Sequence, residues 1–92
     1  MSTLTDAVEH LEQGEWQAAH EIVQDDAGPL ACWAHGIVHL MEGDLDNAGY
    51  WYRRAGRPVP EARWASGAER DRAISAEIAA LRSRVLPPPR GS

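Results

Sequence analysis

His35 and His39 stand at i and i+4, the spacing that lets two imidazoles on one helix face converge on a single metal ion. Cys32 adds a thiol one turn earlier, and Glu42 continues the same line one turn later. His20 lies at the edge of the apolar face of the preceding helical segment, with Glu21 beside it. A site of His35 and His39 with Cys32 or His20, supported by Glu42 or Glu21, suits zinc or another transition metal, because imidazole and thiolate are donors of that softness. The alternative is that both histidines hydrogen-bond to neighbouring carboxylates and fill space, while Cys32 is an inert buried thiol. The protease signature His-Glu-x-x-His is not matched. Nor does any residue pattern announce the open coordination position that a zinc-activated water needs.

A second group of residues could grip an anion. In the run Tyr50-Trp51-Tyr52-Arg53-Arg54, helical spacing turns Trp51 and Tyr52 inward with Ala48 and Ala55. Tyr50, Arg53 and Arg54 point outward and form with Arg57 a basic, aromatic-edged patch suited to a carboxylate or phosphate. Pairing with acidic side chains of a neighbouring helix is the plainer use of the same arginines. No nucleophile with a positioned base can be argued: Ser66 reads as a helix cap and Ser75 lies within a helix. Gly36, Gly43, Gly49 and Gly56 are spread through helices and turns rather than gathered into a phosphate cradle.

Five helical segments must position these groups. The first runs from Leu4 to Gln13, with Leu4, Ala7, Val8 and Leu11 on one stripe; Thr3 and Asp6 give it a capping start and Gly14 stops it. The second runs from Glu15 to about Asp26, with Trp16, Ala19, Ile22 and Val23 inward. Gly28-Pro29 opens the third, which ends at Gly43, and the fourth spans Leu45 to Ala55 before Gly56 and Pro58. Residues 57–65 read as a loop. Ser66 with Glu69 then caps a final helix to about Leu86, whose stripe is Ile74, Ile78, Leu81 and Val85. Pro87-Pro88-Pro89 ends it, and residues 87–92 read as a disordered tail. No segment keeps a strand's alternation, so the fold class is all-α.

Charge divides the 92 residues sharply. The first 52 carry ten carboxylates and no Arg or Lys, whereas the remainder carries nine Arg and four carboxylates. The halves should attract each other, within one chain or between two. A net charge of −5 argues against non-specific nucleic-acid binding. The apolar runs are too short to span a membrane, and no basic start leads into an apolar leader. One cysteine allows no internal disulfide, which fits the cytoplasm.

Shifted by 29 residues, the chain resembles itself. Leu4, Ala7, Val8, His10, Leu11, Gly14, Glu15, Trp16 and Ala19 fall on Trp33, Gly36, Ile37, His39, Leu40, Gly43, Asp44, Leu45 and Ala48. Each copy is a helix, a Gly-acidic turn and a second helix, a unit that must stack to bury its apolar face. In the second copy Gly36, Gly43-Asp44, Ala48, Tyr52, Ala55 and Pro60 resemble the tetratricopeptide repeat, and the likeness extends over residues 4–60. That resemblance implies two stacked helical hairpins, here with the final helix in a single domain of residues 1–86, used as a platform for peptides or proteins. It also implies that Leu30, Trp33, Ile37, Leu40 and Met41 face the concave, ligand-binding side. So apolar a stripe needs a cover. The final helix folding back on the second hairpin is the nearest candidate, with a partner helix or second subunit as the alternative. On the opposite face, apolar slots of the repeat are taken by Cys32, His35 and His39.

The expectation is therefore a non-catalytic interaction or assembly module that binds protein or itself, without cofactor, nucleic acid or membrane. The alternative is a small helical metal-binding protein, or an enzyme, using His35, His39 and neighbours.

Overall fold

In the computed structural model, which describes residues 3–60 and 67–86, five α-helices and no strands occur. They are α1 (Leu4–Glu12), α2 (Trp16–Val23), α3 (Pro29–Glu42), α4 (Leu45–Ala55) and α5 (Gly67–Val85). None of the described helices is long and apolar enough to cross a membrane. The capping role expected for Ser66, most of the loop before it and the tail at 87–92 lie outside the described residues.

Local chemistry accounts for most boundaries. Thr3 and Asp6 form a reciprocal capping box at the start of α1, with bonds of 3.3 and 3.0 Å. Gly14 and Gly43 both take left-handed backbone, φ 80° and 87°. The bonds around them correspond across the 29-residue shift: the Glu15 amide donates to the His10 carbonyl at 2.8 Å, and the Asp44 amide to the His39 carbonyl at 2.9 Å. The internal repeat is thus present in the backbone as well as in the side chains. One boundary differs from expectation: α2 stops at Val23, not near Asp26. The Asp26 amide turns back to the Val23 carbonyl at 3.1 Å, and the Asp26 carboxylate accepts from the Gly28 amide at 2.8 Å. An Asx turn has replaced the last helical turn, and it delivers Pro29 to the first position of α3.

The helices pair as two hairpins, α1 with α2 and α3 with α4, stacked through α2 on α3 and α1 on α3. Close approach inside the second hairpin depends on Gly36, where an added Cβ would lie 2.5 Å from Tyr52 Cδ2. Ile74, Ile78 and Leu81 seat α5 on α3 and also on α1, so it closes the first hairpin as well as the second. At its outer end Arg82 reaches Glu12 of α1 at 2.8 Å. Helix α3 is consequently surrounded, and every residue from Ala31 to Val38 is buried.

Candidate metal centre

A helix buried along most of its length has to satisfy each polar side chain it buries or lose stability. On the side of α3 that meets α5, the apolar stripe is covered by the chain's own final helix. Trp33, Ile37 and Leu40 are fully buried there, and Leu30 and Met41 are partly buried against the core. The polar atoms on this side are paired. Trp33 Nε1–H donates to Glu77 Oε1 at 3.1 Å, and the Tyr52 hydroxyl donates to the same oxygen at 2.7 Å. Burial, reinforced by that carboxylate, raises the Tyr52 pKa. Arg70 donates to the Leu40 and Met41 carbonyls at 2.8 and 2.9 Å, adding donors at the C-terminal end of α3.

The histidine side differs. His35 is 4% exposed, and its Nδ1 has no hydrogen-bond partner. Its ring lies 4.7 Å from that of His20 on α2 and 5.0 Å from that of His39, centroid to centroid. The His20 and His39 rings are 5.8 Å apart. One ligand nitrogen from each of the three lies within 4.8 Å of the others. A tetrahedral zinc site with Zn–N of ~2.0–2.1 Å holds its nitrogens ~3.4 Å apart, a spacing to which these three would have to draw in to hold an ion. Burial, and then the adjoining His20 and His39, push the His35 pKa down to about 4. His35 is therefore neutral near pH 7, the state in which imidazole ligates a metal.

Glu42 pairs with a second histidine of the cluster. Its Oε1 lies 2.5 Å from His39 Nδ1. An ionised carboxylate there draws the ring proton to Nδ1 and leaves the lone pair on Nε2, the arrangement by which outer carboxylates orient metal-binding histidines. His39, Glu42 and Asp44 also come together as a group. Asp44 is already engaged, however, because it caps α4 and accepts from the Asn47 amide at 3.3 Å and side chain at 2.6 Å. Those bonds hold its carboxyl below the usual range.

Behind the cluster, Trp51 of α4 stacks on His35 with centroids 3.8 Å apart and planes 10° from parallel. The Arg54 guanidinium lies 5.1 Å from the Trp51 ring and bonds the Tyr50 hydroxyl at 3.0 Å. In front, a groove lined by Trp16, Gln17, His20, Glu21, Val38, His39 and Glu42 opens between α2 and α3.

Of the ligands read from the sequence, His20, His35 and His39 converge, and Glu42 supports them from behind His39. Cys32 does not join. Its thiol donates to the Ala27 carbonyl at 3.6 Å and belongs to no converging group. The basic patch divides: Arg54 goes to Tyr50 and Trp51, Arg57 lies 3.5 Å over the Trp33 ring, and Arg53 is exposed. Three roles went unread. Glu77 was legible as a carboxylate set between Ile74, Ile78 and Leu81 on the inward stripe, and Trp51 was read as inward without its imidazole partner. Arg70 gave no comparable signal. No family model, curated protein or solved structure matches this chain.

Proposed function

We propose that this chain is a small helical module that holds one transition-metal ion, zinc by its ligand chemistry, on His20, His35 and His39. The observation that carries the reading is the buried, unpartnered Nδ1 of His35 among two further imidazoles. An ion there would recover the free energy lost by burying that imidazole, and would tie α2 to α3. The acidic field of the first 52 residues, ten carboxylates without a Lys or Arg, concentrates divalent cations around the site. Equilibrium dialysis of chelator-stripped protein against zinc tests the reading. One ion per chain is expected, with at least a tenfold weaker affinity in His39→Ala and in His20→Ala. Protein that takes up no zinc, or variants that bind as the parent does, would end it.

A second reading, the tetratricopeptide-like interaction scaffold, has a specific observation of its own. A groove of about 590 Å³ remains beside α5, with Leu11, Trp16, Met41, Ile74 and Ile78 on its walls and Arg82 at its rim. The fit of Tyr52 against Gly36 also has the close helix approach that such hairpins use. Sedimentation at low and high salt separates a self-associating scaffold from a monomer. Its one cysteine, buried and reduced, suits the cytoplasm.

A further inference from the structure

Resting on the metal reading above, we infer that the ion keeps one coordination position for an outside ligand, and that this ligand is a small neutral donor. Three imidazoles fill three of the four positions of a tetrahedral ion. The side chains nearest the fourth are disposed so as not to fill it. Glu42 is held at Nδ1 of His39, which leaves Nε2 of that ring as the nitrogen it could offer an ion. Glu21 follows His20 directly on α2, and successive residues of a helix diverge by about 100°, which leaves its carboxylate exposed on the rim. Cys32 is turned to Ala27. Trp51 closes the rear of His35, whereas His20 and His39 both line the groove, so access is from that side.

Charge selects what enters. A dication on three neutral imidazoles, with the Glu21 and Glu42 carboxylates beside it, is already close to local neutrality. An anionic ligand would add charge in the acidic half of the molecule, where no Lys or Arg offsets it up to Tyr52. A neutral nitrogen or oxygen donor meets no such opposition. Among the described residues, the Arg54 guanidinium lies 5.1 Å from the Trp51 ring, which itself stacks on His35.

The full chain loaded with cobalt(II) provides the test, because cobalt's visible absorption responds to its ligand set. Imidazole, as the neutral probe, should change the spectrum at concentrations at least tenfold below those at which azide does. Native mass measurement should show chain, cobalt and imidazole together. Glu21→Gln should narrow the gap between the two probes. A spectrum that neither probe changes would mean a closed site, and azide acting as strongly as imidazole would mean that the rim does not select. Imidazole that strips the cobalt without forming the ternary species would equally overturn the inference. Failure to take up cobalt at all would instead defeat the metal reading on which it rests.

Discussion

The two sides of α3 bury polar groups in opposite ways. Against α5, Trp33 and Tyr52 each direct a donor at one oxygen of Glu77, and Arg70 takes up the carbonyls at the helix end. Against α2 and α4, a neutral imidazole is enclosed with a nitrogen that bonds to nothing. The same helix therefore shows what stability alone selects and what it does not. Paired groups of the first kind hold the bundle together. An unpaired group of the second kind costs stability.

The comparison breaks most readily on the sealed side. Trp33→Ala should remove about 3–5 kcal/mol in urea unfolding, the range for truncating a buried aromatic. It would also strip the Glu77 carboxylate of one donor and Arg57 of its ring. A loss under about 1 kcal/mol would show that α5 does not seal this side. Glu77→Ala leaves two buried donors without an acceptor and should cost about 2–3 kcal/mol, whereas Glu77→Gln, which keeps an acceptor oxygen, should cost less. Equal losses in the two variants would show that the shared oxygen is not what matters.

Much of this was readable in advance, for identifiable reasons. Gly14 and Gly43, the Thr3 and Asp6 cap, and the periodic stripes act over one or two turns, and local rules govern them. The covering of Trp33, Ile37 and Leu40 by the final helix followed from the cost of leaving so large an apolar stripe bare. Other features are set by tertiary geometry. Cys32 and His39 share a helix face but are separated by seven residues, ~10 Å along the axis, too far to ligate one ion. That His20 replaces Cys32 depends on which turn of α2 faces α3, and sequence period does not encode it. The stacking of Trp51 on His35 likewise depends on the angle between α3 and α4.

The open side should respond to acid in the metal-free chain. Unfolded, His35 has an ordinary pKa of 6.5; folded, burial and the adjoining His20 and His39 hold it at about 4. Between those values the unfolded chain binds a proton that the folded chain refuses, so stability falls as pH drops from about 6.5 to about 4 and this loss levels off below. At 1.36 kcal/mol per pH unit the contribution is on the order of 3 kcal/mol. The His20 and His39 rings face His35, and the Arg54 guanidinium lies 5.1 Å from the Trp51 ring stacked on it, so the His35 share is the difference between the parent and His35→Phe. Parallel pH profiles for the two proteins would remove His35 as the source.

The sharpest single measurement is thermal unfolding of the parent and His35→Phe, each in chelator and in zinc. Without metal, the variant exchanges an unsatisfied buried ring for an apolar one and should melt no lower than the parent. Zinc should raise the melting temperature of the parent alone. A variant that melts far below the parent in chelator, with zinc moving both alike or neither, would show that His35 is an ordinary core residue.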